Sequence, residues 1–489
     1  MNALTSWLEK YILPIAAKIG GEKHLVALRD AFIGTMPATM AGSIAVMINA
    51  IIRDLPGQFI EGYDPGSIPV ISQIIGINGF VWNGTIAVAG LIFAFSFGFN
   101  LARAYGVNDL AGGIVSLAAL IQGIAFSAPA AVQVEQGELN KKALDVLANA
   151  GSVIGETTVT DPVTKVETVF TTITNNSWGW LKLDHLNGNA FFTAMILGFV
   201  SVIIFAKLMQ KNITIKLPDS VPPAVSKAFA AIIPATASLY IIAIFNYFFT
   251  NLMDGQLFID WVQETIAKPL MGVSQGLGAV ILIQLMIQLF WFFGIHGTNV
   301  MAPILEGVFG QAQLINIDIF QKGYAGKTGT EAVLAAIEDG KAFMWVRGSF
   351  DAFTMFGGSG GTITLILAIL IFSKRADYLT IGKLALGPGI FNINEPIMFG
   401  LPIVLNAIMF IPFLLAPVVS TAIGYLATSA GLVAPVSQAV TWVVPPLLLP
   451  FLATGADWRA PIVSLVAMIA TFLIWAPFVI AANKMQPEE

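Results

Sequence analysis

The stretch "LGPGIFNINEPIMFGLPIVLN", residues 386–406, is apolar enough for a membrane and too interrupted for one continuous helix. Its glycines, prolines and asparagines remove helical hydrogen bonds or favour other backbone conformations. It also holds Glu395, the only charged side chain between Lys383 and Asp457. A carboxylate at the centre of a bilayer costs at least about 2.5–3.5 kcal/mol and usually faces a cavity. Non-helical backbone at membrane depth persists only where protein buries it or where it lines such a cavity. The stretch therefore reads as a broken segment beside a polar site, and it rules out a plain bundle of spans.

Two more stretches share its character: "FFGIHGTNVMAPIL", residues 292–305, and "MFGGSGGTITLI", residues 355–366. Paired short hydrophobic segments interrupted by Gly and Pro point to a solute site near the membrane midplane. His296 is the only titratable residue between Lys268 and Glu306. A lone histidine is commonly just a satisfied polar residue, and Glu395 also fits a helix start with Asn394 as cap and Pro396 in the first turn. Two such residues in broken segments of one half favour function. Together a His and a Glu can hydrogen-bond a sugar hydroxyl and accept its proton.

The remainder of the chain agrees with a membrane setting. Of 489 residues, 56% are hydrophobic and 11% charged, against about a quarter charged in soluble domains. Apolar runs at 31–52, 79–99, 190–206, 228–249, 279–293, 362–372 with its flanks, and 461–482 approach or exceed the length of a span, about 20 residues. The chain is expected to be an all-α polytopic membrane protein. A net charge of −5 gives no footing for nucleic acid. The absence of cysteine excludes disulfides, thiolate metal sites and a cysteine nucleophile. Neither a metal nor a cofactor is called for. The first 30 residues mix acids and bases without an apolar core, so no cleavable signal peptide is expected.

Basic residues suggest the orientation. The N-terminal segment is placed in the cytoplasm and the acidic loop with Asp54, Glu61 and Asp64 outside. Arg103 marks a short cytoplasmic turn, more an anchor than a ligand. The polar segment 133–186 alternates Val and Thr and reads as an external β-hairpin-like excursion, with Asp161-Pro162 at its turn. Lys207, Lys211, Lys216 and Lys227 place residues 207–227 inside, and Pro218, Pro222 and Pro223 make this an interfacial linker rather than a span. Lys374 and Arg375 mark another cytoplasmic turn.

At this point a family resemblance appears. "GIHGTNVMAP" (294–303), "NINEPIMFGLPIVLN" (392–406) and "IKLPDSVPPAVSKAFAAIIPA" (215–235) resemble the membrane-embedded IIC component of the bacterial sugar phosphotransferase system, in its lactose/cellobiose/N,N′-diacetylchitobiose family. "LVALRDAFIGTMPATMAGSI" (25–44) and "LARAYGVNDLAGGIVSLAA" (101–119) resemble the same family, so the likeness covers nearly the whole chain. It implies a homodimer in the bacterial plasma membrane with a cytoplasmic N-terminus, and about ten transmembrane helices plus two re-entrant hairpins in the C-terminal half. Residues 1–215 would form a dimerisation scaffold, 216–227 an amphipathic linker and 228–489 a sugar-transport domain that moves as an elevator against the scaffold. A phosphocysteine on a separate IIB protein would phosphorylate the sugar's 6-hydroxyl, with IIA and the phosphohistidine carrier protein supplying it. Without cysteine, the chain is a better match to stand-alone cellobiose and diacetylchitobiose members than to lactose members with a fused IIB domain.

Carried over residue by residue, the resemblance makes Glu395 and His296 the contacts of the 6-hydroxyl, with Glu395 as general base. Trp291 matches a sugar-stacking tryptophan, five residues before His296 and so about 7.5 Å away along a regular helix. Trp442 matches a second one, although an interfacial belt role fits it nearly as well. Asn394 and Asn299 neighbour the two reactive positions and complete the substrate-binding set. Asn187 and Asn189 compete for one further sugar contact. The segments 133–186 and 311–341 depart in length from shorter members. A rival class is a proton- or sodium-coupled sugar symporter with Glu395 as the coupling carboxylate. An intramembrane hydrolase is disfavoured, because neither HExxH nor GxSxG occurs.

Overall fold

A computed structural model describes residues 21–483, apart from 58–59, 61, 136, 161–166, 219, 402 and 404–405, and also residues 10 and 18. Helices form where the apolar runs are uninterrupted, and they stop where Gly, Pro and Asn cluster. The first half contains α1 (Lys23–Asn49), α2 (Pro69–Asn83), α3 (Ala89–Ala104) and α4 (Asp109–Ile121). The run at 79–99 is not one helix: Gly84 closes α2, Thr85 turns back through Oγ1 to the Val81 carbonyl at 2.6 Å, and α3 starts afresh. α4 begins at a side-chain cap, Asn108 Oδ1 accepting from the Ala111 N–H at 3.1 Å.

The polar excursion is larger than a hairpin. Strands β1 (Ser127–Glu135), β2 (Val153–Thr160) and β3 (Glu167–Trp178) form an antiparallel sheet in the order β1-β3-β2, with the short helix α5 (Lys141–Asn149) between β1 and β2. β3 is rich in Thr, Val and Ile, suits a pleated surface and pairs on both edges. The turn expected at Asp161-Pro162 lies outside the described residues. An all-α description therefore needs this sheet added.

α6 (Phe191–Gln210) and α7 (Pro223–Leu252) follow. α7 starts with Pro223 in its first turn and packs on α6 and α4. Phe93, Phe97, Leu101 and Phe191 anchor one hydrophobic core among α1, α3 and α6.

The second half has the shorter, broken elements. α8 (Phe258–Val262), a π-helical turn (Gln263–Ala267) and α9 (Lys268–Val273) lead into α10 (Leu277–Phe292) across a bend of 81°. Then come a π-helical turn at Leu305–Gly310, α11 (Gln311–Lys322), α12 (Gly329–Glu338), α13 (Arg347–Phe353), α14 (Thr362–Phe372) and α15 (Ala376–Ile390). α16 (Glu395–Gly400), α17 (Ala407–Ser429), α18 (Leu448–Ala453) and α19 (Arg459–Ala482) complete the chain. Trp345, Phe350, Phe353 and Phe413 centre a second core, separate from the first. Among the described residues, six helical stretches are long and apolar enough to cross a membrane, with α2 and α3 taken together as Pro69–Ala104, or seven if the bent pair counts as one span. α4 and α14, with 13 and 11 residues, fall short of the length that a bilayer requires.

Candidate functional site

Glu395 opens α16, and its approach is built by asparagines rather than by helix. Asn392 takes a left-handed conformation, φ 61°, which Asn tolerates because its short side chain bonds locally. Its Oδ1 accepts from the Gly357 N–H at 2.8 Å, and its Nδ2 donates to the carbonyls of Trp442 at 2.6 Å and Val444 at 2.9 Å. Asn394 Nδ2 donates to the Ser359 carbonyl at 2.9 Å. Asn394 thus makes no side-chain cap for α16 and instead ties the NINEP turn to the glycine turn. That turn needs its glycines: Gly358 has φ 95°, and a Cβ there would come within 2.8 Å of Asn394 Cβ and 2.9 Å of the Asn392 carbonyl. Three broken segments are stapled together by two asparagines.

His296 sits at the other tip. The chain leaves α10 through Gly294, φ 75°, and Gly297 lies so close to the Ile287 carbonyl that a larger residue would not fit. His296 Nδ1 accepts from the Asn299 N–H at 3.3 Å and lies 3.0 Å from Thr298 Oγ1. With Nδ1 an acceptor, the neutral ring carries its proton on Nε2 and offers it outward. The Trp291 ring lies beside it, with centroids 4.4 Å apart and planes at 44°.

Both tips open onto one cavity of about 370 Å³ between the two halves. Trp291, His296, Asn299, Asn394, Glu395 and Trp442 all line it, and Phe32, Thr35 and Met36 of α1 face them from the first half. The Glu395 side chain has no hydrogen bond or ion pair among the described residues, so its oxygens are free to accept. Asn187 and Asn189 are not brought to the cavity. Asn187 Oδ1 accepts from the Asn189 N–H at 2.9 Å, while Asn189 Oδ1 accepts from Gln263 Nε2 at 3.2 Å. Gln263 Oε1 in turn accepts from Gln311 Nε2 at 3.0 Å.

Sequence reasoning missed Glu306, Arg347 and Asp351, which line the same cavity. The available signal was the i,i+4 pair Arg347–Asp351 inside the apolar stretch 342–356. Asn392 was missed as well, because only a fold can reveal that one asparagine holds three carbonyl and amide groups of other segments.

The chemistry on offer is recognition of a neutral polyol, with an aromatic platform, a donor on His296 Nε2, an acceptor on Glu395 and flanking amides. Comparison with known proteins accords with that. Residues 29–417 match the family model "Phosphotransferase system, EIIC". The chain is 46% identical to the "PTS system cellobiose-specific EIIC component" of Lactococcus lactis subsp. lactis (strain IL1403), covering 100% of both chains. It is 31% identical to the "PTS system oligo-beta-mannoside-specific EIIC component" of Bacillus subtilis (strain 168), over 98% of this chain and 94% of the other. The crystal structure of the transporter ChbC, the IIC component from the N,N′-diacetylchitobiose-specific phosphotransferase system, superposes with a TM-score of 0.80 at 28% identity, covering 98% of each chain. The broken membrane helices, the cavity at their tips and these likenesses over almost the full length agree: this chain belongs to the EIIC membrane components of the phosphotransferase system.

Proposed function

We propose that the chain imports a β-linked disaccharide of the cellobiose or diacetylchitobiose type and presents its 6-hydroxyl for phosphorylation by a separate IIB protein. The observation that carries this reading is the meeting of His296 and Glu395, from two different broken segments, on one cavity beside Trp291. Sugar stacks on the Trp291 face, with Trp442 at the same cavity. His296 Nε2–H donates to the 6-hydroxyl oxygen and orients it. Glu395 takes the hydroxyl proton as the oxygen attacks phosphorus, and the phosphorus–sulfur bond to the IIB cysteine breaks to release a thiolate. IIA and the phosphohistidine carrier protein restore the phosphocysteine from phosphoenolpyruvate.

In the same reading the chain is a homodimer with a cytoplasmic N-terminus, about ten spans and two re-entrant hairpins. The first-half core serves as scaffold, and the second half moves against it as an elevator. Support comes from the separate cores and from a cavity walled by both of them. Asn299 and Asn394 complete the sugar contacts, whereas Asn187 and Asn189 would reach sugar only after such a movement.

Glu395→Gln keeps shape and hydrogen bonding but loses basicity. Phosphorylation of bound sugar by phospho-IIB, normalised to binding-competent protein, should fall by about 10²–10⁴-fold with only modest loss of sugar affinity. A near-normal rate would overturn the general-base role. Uptake driven by a proton gradient alone, without phospho-IIB, would favour a symporter.

A further inference from the structure

Besides Glu395, the charges on the cavity wall belong to one cluster that the proposed phosphoryl transfer does not use. Arg347, at the start of α13, donates from Nε to Glu306 Oε1 and from Nη1 to Asp351 Oδ1, each at 2.7 Å. Glu306 lies in the π-helical turn that follows the His296 tip, and Asp351 lies one turn along α13. Inserted π turns recur at functional sites because they re-aim side chains out of helical register.

A clamp that merely joined the turn to α13 would be complete once its ion pairs closed. This cluster is not complete. Arg347 Nη2, Glu306 Oε2 and Asp351 Oδ2 take no hydrogen bond among the described residues, while all three residues face the cavity. A fixed guanidinium flanked by two carboxylates sets donors and acceptors side by side. Vicinal sugar hydroxyls, each able to donate one hydrogen and accept another, meet that pattern in pairs. His296 and Glu395 serve a single hydroxyl of one ring, so they give no preference for a two-ring sugar.

We propose that Glu306, Arg347 and Asp351 form the subsite for the second ring of a disaccharide and set the preference for disaccharide over monosaccharide. This inference rests on the sugar reading given above. Glu306, its side chain the most exposed of the three at 37% against 17% and 11%, is the direct hydroxyl contact. Arg347 holds both carboxylates in place and donates from Nη2.

The test is equilibrium binding to the purified full chain, with cellobiose against glucose and diacetylchitobiose against N-acetylglucosamine. In Glu306→Gln, the disaccharide-to-monosaccharide affinity ratio of the preferred pair should fall about 10–100-fold, the usual worth of one or two lost charge-assisted hydrogen bonds. Arg347→Lys keeps the charge but not the fork, and it should lower the same ratio. If Arg347→Lys does not fold, Glu306→Gln decides alone. An unchanged ratio in Glu306→Gln, whether both affinities hold or both fall together, means a structural clamp and overturns the proposal. If the wild-type chain binds no disaccharide at all, the sugar reading fails first and the subsite goes with it.

Discussion

Glycine does opposite work in the two halves. Between α3 and α4, Gly98 and Gly112 are ordinary helical residues, and a Cβ on either would strike the facing helix: Ser116 in one case, Ala102 in the other. Their smallness lets two backbones approach, which is how helices gain contact in a membrane without a hydrophobic driving force. In the turn 357–361, Gly357, Gly358, Gly360 and Gly361 all have positive φ, so conformation selects them, with close neighbours at the first three adding a limit on size. The first region is regular and apolar. The second spends its sequence on irregular backbone, and irregular backbone is what carries His296, Asn394 and Glu395 to one cavity.

The comparison can be broken by a matched pair of substitutions. Gly358→Val adds a branched side chain at φ 95° and pushes directly on Asn394 and the Asn392 carbonyl. Strain there costs about 1–3 kcal/mol, and overlap adds to it, so sugar affinity per folded molecule should drop by more than about 100-fold. Gly112→Val should cost about 1–3 kcal/mol through overpacking, lowering the melting temperature while leaving affinity per folded molecule unchanged. If both variants alter stability alone, the glycine turn is scaffold too and the contrast fails.

Asn392→Ala sharpens the same contrast inside the second half. It removes three hydrogen bonds and leaves the Gly357 N–H and the carbonyls of Trp442 and Val444 to find other partners. Each unsatisfied buried group costs about 1–3 kcal/mol, so affinity should weaken about 10–100-fold. Isothermal titration with the preferred disaccharide reads this directly. A variant that binds normally would mean that Asn394 alone aligns the turn.

What the sequence disclosed follows from how local each signal was. Glu395 and His296 stood out because each is the lone charged or titratable group in a long apolar or Gly-rich stretch. The breaks around them were legible because Gly and Pro act on their own neighbours. Glu306 and Arg347 were illegible as a pair, because 41 residues separate them and the segment 311–341, which departs in length from shorter members, lies between. The number of spans was hard to read for a related reason. Short helices such as α14 are buried by other protein, so they need not span the bilayer alone. The excursion was recognised as β from its Thr and Val alternation, but a third strand depends on which edge the last strand finds.

The smallest expected effect lies just before α6, where the two halves meet. His185 is buried before α6, with Nδ1 accepting from the Ala125 N–H at 3.3 Å and Nε2 donating to Asp260 Oδ1 of α8 at 2.9 Å. Lys182 pairs with the same Asp260 oxygen at 3.1 Å, and Asp184 is the other charged neighbour. Burial holds the imidazole below its ordinary pKa, outweighing the carboxylate that pulls the other way. The folded chain then binds fewer protons here than the unfolded chain, whose histidine titrates near 6.5. The stabilisation from a neutral His185 is therefore full above about pH 6.5 and fades as the pH falls through the lower folded value. His185→Gln should lower the melting temperature slightly at pH 7.5, a loss on the scale of one hydrogen bond at about 0.5–1.5 kcal/mol. It should also flatten the decline expected of wild type between pH 7 and pH 5. An equally steep decline in the variant would assign the acid sensitivity to another group and leave His185 a purely structural join between the halves.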